Sequence, residues 1–76
     1  GAFRQAETSA PTDVIAYFRG DALVLVNPRP RSMRLSVTGF AVDRARDLLS
    51  GRVQRGDTVT LPPHGALVLT QRRSGG

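Results

Sequence analysis

Carboxylates are the residue type in this chain that could support catalysis, since a facing pair can act as general acid and base. The aspartates of the folded part are Asp13, Asp21, Asp43, Asp47 and Asp57. Each lies at a turn or at the end of an apolar run, where aspartate accepts hydrogen bonds from turn backbone. We therefore predict structural roles for them, and no catalytic residue in this chain.

The single histidine, His64, lies in the stretch LPPHG. Pro62 and Pro63 should end a strand there and Gly65 allows a positive φ, so we predict a turn histidine rather than a general base. The chain has no cysteine, and one histidine cannot form a metal site alone. No phosphate-binding glycine loop, HExxH or EF-hand pattern occurs. We expect no metal and no other cofactor.

The charge of the chain raises the question of an anionic partner. Eleven basic residues, all arginine, stand against six acids, a formal net charge of +5. Arginine binds phosphate and carboxylate in a bidentate manner. The densest stretch, NPRPRSMR at 27–34, has no aromatic residue spaced for stacking on bases, and its prolines predict an extended connection. We expect a solvated or domain-facing loop and no nucleic-acid binding; whether this loop contacts a partner stays open.

Arg19, Gly20 and Asp21 spell the tripeptide by which integrins recognise many adhesion proteins. They also separate two apolar runs, and a two-residue loop at Gly20-Asp21 would place Phe18 opposite Leu23. Glycine supplies the positive φ that a type I′ or II′ hairpin needs. We predict a hairpin turn and expect no integrin binding.

The aspartates, His64 and the arginines must be positioned by the fold. The sequence has short apolar runs separated by turn residues. Their spacing of roughly 8–12 residues is typical of sandwiches and barrels. The runs are 14–19, 22–27, 33–38, 46–50, 57–62 and 66–70. They predict an all-β fold, a small antiparallel β-sandwich with Greek-key-like connections and about six to eight strands. Within it, residues 41–49 should form a loop leading into a short strand.

The domain should span residues 13–71. Residues 1–12 are expected to form a linker or a segment left by processing, and residues 72–76 a flexible tail. The first residues lack both an initiator Met and the layout of a signal peptide, so we expect a piece of a longer protein, with a cytoplasmic location favoured. No apolar run approaches the roughly 18 residues of a membrane span, and we expect no membrane partner.

Two kinds of strand pattern are present. Runs 33–38 and 57–61 alternate apolar and polar residues, which indicates one solvated face. Runs 14–18, 22–26 and 66–69 are apolar on both faces. A small sandwich has a single layer between its sheets, so their outer face would be exposed unless another domain packs there. This pattern predicts a partner surface.

Three motifs follow one another along the chain: VIAYFRGDALVLVN at 14–27, DLLSG at 47–51 and LPPHGALVL at 61–69. In this order they resemble the C-terminal β-sandwich domain that follows the catalytic barrel in alpha-amylase-family glycoside hydrolases, and the similar domain of β-galactosidases. The resemblance covers residues 13–70. It departs at Arg46 and His64, where aromatic residues are common, so the choice of subfamily stays open.

The resemblance implies a non-catalytic accessory domain in carbohydrate metabolism, with the catalytic domain of the same parent chain as its partner. Its turn residues would be scaffold residues: Gly20, Asp21, Asp47, Gly51, Pro62, Pro63 and Gly65. Asp47 should bond the turn at Ser50-Gly51, while Leu48 and Leu49 should fill the layer between the sheets. The alternative is an independent module that binds a polyanion, or a glucan or other sugar on Tyr17 or Phe40.

Overall fold

A computed structural model describes residues 4–71 of the chain. The predicted tail at 72–76 and the first three residues of the predicted linker lie outside that range. Within it there are eight strands, every pair antiparallel, and no helix. The strands are β1 Arg4–Gln5, β2 Glu7–Thr8, β3 Ile15–Arg19, β4 Ala22–Val26, β5 Met33–Thr38, β6 Arg46–Asp47, β7 Thr58–Leu61 and β8 Ala66–Thr70. The predicted all-β class and small β-sandwich are confirmed, and 41–49 does lead into a short strand.

The strands form a five-stranded sheet in the order β1-β3-β4-β8-β6 and a three-stranded sheet in the order β2-β5-β7. The chain crosses from one sheet to the other at every connection except β3 to β4. β8 pairs with β4 along its whole length, from Ala22 opposite Thr70 to Val26 opposite Ala66. The last strand of the domain therefore pairs with the second strand of the first hairpin.

The β3–β4 hairpin has the predicted register. Phe18 lies opposite Leu23 and Ile15 opposite Val26, with Gly20 and Asp21 as the loop. Gly20 has φ of 60° while Asp21 has no positive φ, which fits a type II′ turn. Because the side-chain period of a strand is two, this register sends Leu23 and its alternate neighbours to the core.

The core is the layer between the two sheets. The five-stranded sheet contributes mainly leucines, and the three-stranded sheet contributes the apolar set that the alternation of 33–38 and 57–61 predicted. Its largest fully buried apolar side chains are Leu23, Leu25, Leu35, Leu61, Leu69 and Val59. Full burial of each such side chain is worth about 1.5–3 kcal/mol. A thin layer of this kind is the single core that a short chain can build.

The prediction of a linker over residues 1–12 is wrong from Arg4 onward. Arg4 pairs with Phe18 in one sheet, and Glu7 pairs with Thr38 in the other. Between them Ala6 is buried, and its N–H donates to the carbonyl of Ala16 at 3.0 Å. The segment lacks apolar periodicity because its strands are only two residues long; the edges of both sheets supply its backbone partners.

Candidate functional site

The Arg-Gly-Asp tripeptide lies at the tip of the β3–β4 hairpin. Arg19 and Asp21 are exposed, and a Cβ built on Gly20 would meet nothing within 4 Å. Glycine is therefore required there by its φ alone. The turn accounts for the tripeptide without a ligand, and the absence of integrin binding stays a prediction.

The Asp47 carboxylate is the most heavily bonded side chain of the predicted turn residues. Its Oδ1 accepts the N–H groups of Leu49 at 3.2 Å and Val68 at 3.0 Å, and its Oδ2 accepts the N–H of Ser50 at 3.2 Å and the Ser50 hydroxyl at 2.7 Å. The predicted bond to the Ser50-Gly51 turn is confirmed. The bond to Val68 in addition joins this turn to β8.

Burial of Asp47 acts to raise the pKa of its carboxyl, since a charge is poorly solvated inside the protein. The hydrogen bonds from Val68, Ser50 and Leu49 stabilise the charged form and outweigh burial, so the pKa lies below its ordinary value. Asp47 is therefore an ionised side chain that accepts hydrogen bonds in a fixed position, which suits it to holding a turn.

The expectation that Leu48 and Leu49 fill the layer between the sheets is wrong. Their side chains are 56% and 65% exposed, while Asp47 takes the buried position opposite Leu69. The physical reason is the carboxylate, which draws the next N–H groups around itself and turns the chain out of the sheet. Gly51, at φ 78°, closes this turn with an N–H bond of 2.7 Å to the carbonyl of Asp47.

The turn that follows β7 is confirmed in place but not in detail. Pro62 ends β7 at the edge of the three-stranded sheet, and the N–H of Gly65 donates to the Pro62 carbonyl at 2.9 Å. The positive φ falls on His64, at 54°, and not on Gly65 as predicted. Gly65 is needed for space, since a Cβ there would lie 2.5 Å from the Pro62 ring. With Pro63 before His64, the turn fits type II.

Asn27 is a buried polar residue that sequence reasoning missed. It has no exposed surface, and its Nδ2 donates to the carbonyls of Arg31 at 2.8 Å and Pro62 at 2.9 Å. Its Oδ1 accepts the N–H of Arg29 at 3.0 Å. Asn27 therefore ties the Arg-rich loop to the Pro62 turn. The signal was available as an Asn-Pro pair at a strand end, which favours turn initiation.

The aspartates for which the sequence predicts structural roles have separate partners. Arg29 of the Arg-rich loop contacts Asp13 at 3.1 Å between Nη2 and Oδ1, and Asp43 accepts the N–H of Gly56 at 2.9 Å. Among residues 4–71, no group of three or more His, Cys, Asp or Glu side chains is placed to hold a metal ion. Asp13, Asp43 and Asp47 therefore each hold a different part of the chain in place.

The two aromatic residues considered as sugar platforms lie in different surroundings. The Phe40 ring is 5.8 Å from that of Phe18 between centroids and packs against the core. Tyr17 lies on the outward side of β3 and lines a cleft at the edge of the five-stranded sheet. Phe40 lines a second cleft together with Phe18 and Leu48, so both aromatic residues border a space at the surface.

The two sheets differ in their outer faces. On the three-stranded sheet this face is polar and exposed, with Arg34, Ser36, Thr58 and Thr60. The outward positions of β4 and β8 hold half-buried valines instead, and exposed apolar residues lie in and after the loop that follows β6. We call this set the docking face: Val24, Val26, Val68, Leu48, Leu49 and Val53. The apolar outer surface predicted from the two-sided strands is present.

No protein-family model matches the chain, and no curated protein matches it significantly. In the part of the chain that the structure describes, no helix is long and apolar enough to cross a membrane.

Proposed function

We propose that this chain is a non-catalytic accessory β-sandwich of a glycoside hydrolase, which packs on the catalytic barrel of the same parent chain. The docking face is the observation that carries the proposal. The order of the motifs at 14–27, 47–51 and 61–69 supports the choice of enzyme class.

The contrast between the two sheets argues for a packed partner. Antiparallel sheets with one solvated side place polar residues there, as the three-stranded sheet does with Ser36 and Thr58. The other sheet places valines at the same kind of position, and Leu48 and Leu49 extend them at 56% and 65% exposure. Val24 lies opposite Val68, and the N–H of Leu48 donates to the Val68 carbonyl at 2.8 Å, so these three apolar residues are neighbours. Contiguous apolar surface marks interaction sites in soluble proteins.

The charges beside the docking face indicate what the partner surface should carry. Arg46 and Arg52 are exposed on either side of the loop that holds Leu48 and Leu49. Charged rims of an interface are complementary in sign. The barrel should therefore present an apolar patch with carboxylates at its edge, within an inter-domain interface of about 600–1,500 Å².

The reading frame upstream of Gly1 provides the first test. It should encode a domain of alternating strands and helices of about 250 residues, the size of a barrel with eight strands. A full gene that encodes no such domain would contradict the proposal.

Association in trans provides the second test. The barrel is expressed separately and its affinity for this chain is measured by calorimetry. The double variant Leu48→Ser, Leu49→Ser should weaken binding by at least about tenfold, because two apolar side chains leave the interface. The matched control, Thr58→Ala with Thr60→Ala on the polar sheet, should bind like the parent. Equal affinity of both double variants would show that the docking face is not the interface.

A further inference from the structure

The connection between β4 and β5, residues 27–32, and the connection between β7 and β8, residues 62–65, lie together at one end of the sandwich. They contain four of the five prolines of the chain. The N–H of His64 donates to the carbonyl of Arg29 at 3.0 Å, and the Asn27 amide nitrogen donates to one carbonyl in each connection, at 2.8 and 2.9 Å. Prolines and hydrogen bonds therefore hold this end in one shape before any partner binds.

We call residues 27–34 and 62–65 the basic end, because they contain three arginines and one histidine but no acidic residue. Asp13 contacts the first of these arginines, Arg29, at 3.1 Å. The exposed acidic residues lie at the other end of the strands, where β3 turns into β4, β5 ends and β7 begins: Glu7, Asp21, Asp43 and Asp57. Apart from Asp13, no carboxylate therefore balances the positive charge of the basic end.

Arg31 and Arg34 are the free cations of the basic end. Both are exposed, and neither side chain has a hydrogen bond or ion pair with any residue of 4–71. Arg34 lies opposite Thr60 on the solvated face of the three-stranded sheet. Arg31 lies beside the 62–65 turn, to which the shared Asn27 amide ties its carbonyl. Neither arginine belongs to the docking face, which is on the outer side of the other sheet.

The chemistry of the basic end favours carboxylates as ligands. A guanidinium binds a carboxylate through two parallel hydrogen bonds, and arginine clusters recognise acidic peptide motifs. Arg29 already contacts a carboxylate, that of Asp13. Neither connection has an aromatic residue on which a nucleic-acid base or a sugar ring could stack. A partner recognised by charge alone, through several separate carboxylates, is an acidic stretch of polypeptide.

We propose that the basic end binds an acidic segment of a polypeptide partner, with Arg31 and Arg34 bonded to separate carboxylates. The interaction is weak and depends on salt, because exposed charges are screened over about 8–10 Å at physiological ionic strength. It is independent of the proposed function, because the catalytic barrel would cover the outer side of the other sheet.

NMR titration of the ¹⁵N-labelled chain with a peptide of about ten glutamates, at about 20 mM ionic strength, tests the proposal. The peptide should give saturable shifts that are largest at the amides of Arg31, Arg34 and His64. A glutamine peptide of the same length should give none, because it carries no charge. Raising the ionic strength to about 300 mM should weaken the binding of the glutamate peptide at least about tenfold.

Two double variants separate this site from the overall charge of the chain. Arg31→Gln with Arg34→Gln should weaken binding of the glutamate peptide about tenfold at low ionic strength. The matched control, Arg19→Gln with Arg55→Gln, removes the same charge from exposed residues outside the basic end and should bind within about twofold of the parent. All four positions are exposed, so the dispersion of the spectrum should not change.

Three results would overturn the proposal: no saturable shift with the glutamate peptide, shifts centred away from the basic end, or an equal loss of affinity in the two double variants. Tighter binding of a heparin oligosaccharide or a single-stranded DNA of equal charge at the same amides would overturn it too, because the partner would then be another class of polyanion. The variant Leu48→Ser, Leu49→Ser should bind the peptide like the parent. Failure of barrel docking and failure of peptide binding are therefore measured separately.

Discussion

Removal of the Asp47 side chain should be among the most destabilising single changes in this domain. Asp47→Ala deletes four hydrogen bonds and leaves the N–H of Val68 without its carboxylate acceptor. Loss of a charged acceptor of partly buried donors costs about 3 kcal/mol of unfolding free energy. A chain of 76 residues has roughly 4–11 kcal/mol in total, so the loss is a large fraction of its stability.

Asp47→Asn separates the roles of the two carboxylate oxygens. The amide oxygen can replace Oδ1 and continue to accept from Leu49 and Val68. The amide nitrogen then occupies the place of Oδ2, where the N–H of Ser50 needs an acceptor. The loss should be about 1–2 kcal/mol, smaller than for alanine.

The same residue predicts acid sensitivity. The pKa of Asp47 is lower in the folded protein than in the unfolded chain, where it is about 3.9. Its contribution to stability is therefore fully present above pH 4 to 5 and is lost as the pH falls through the folded pKa. The Asp47→Asn variant has no carboxyl group to protonate at this position, so it should lose less stability over that pH range than the parent.

Urea unfolding followed by far-ultraviolet circular dichroism measures these free energies, at pH 7 and at steps down to pH 2.5. Asp43→Ala is the matched control, because Asp43 is exposed and accepts a single hydrogen bond, from Gly56. It should cost less than about 1 kcal/mol. A loss of under 0.5 kcal/mol for Asp47→Ala, or an acid dependence of Asp47→Asn equal to that of the parent, would refute the reasoning.

Three further changes can be followed by the same unfolding assay. Gly20→Val should cost about 1–2 kcal/mol, because a β-branched residue is strained at φ 60°, while Asp21→Asn should stay within about 0.5 kcal/mol; equal effects would contradict the turn assignment. His64→Gly should stabilise the domain by up to about 1 kcal/mol, because His64 holds φ 54° after Pro63; a loss would show that the imidazole contributes. Thr70→Val should be neutral or stabilising, because the Thr70 hydroxyl is buried with no hydrogen-bond partner in the part of the chain described; a clear loss would reveal a partner.

Strand positions and the first hairpin could be predicted from the sequence because their causes are local. The alternation of apolar residues at 33–38 and 57–61 marks which side chains face the core, and Gly20 sets the loop that pairs Phe18 with Leu23. The Asp47 turn was predictable for the same reason, since three of its four hydrogen bonds come from residues within three positions.

Contacts between distant residues were decided only by the tertiary structure. Residues 4–8 looked like a linker because their two short strands depend on the open edges of β3 and β5. Asn27 looked like an ordinary turn residue because its partner carbonyl, Pro62, is 35 positions away. The cleft beside Tyr17 likewise exists because three separate segments meet at one edge.

Leu48 and Leu49 show why pattern alone was insufficient. Two leucines beside a short strand suggest core residues, because burial is the usual state of leucine. The buried position went to the Asp47 carboxylate, whose hydrogen bond to Val68 can form only once β8 lies beside β6. The sequence by itself therefore determined the strands from β3 to β8 and the places of the turns between them. Which apolar residues remain outside the core was decided by long-range pairing, because that pairing sets where each backbone donor finds its acceptor.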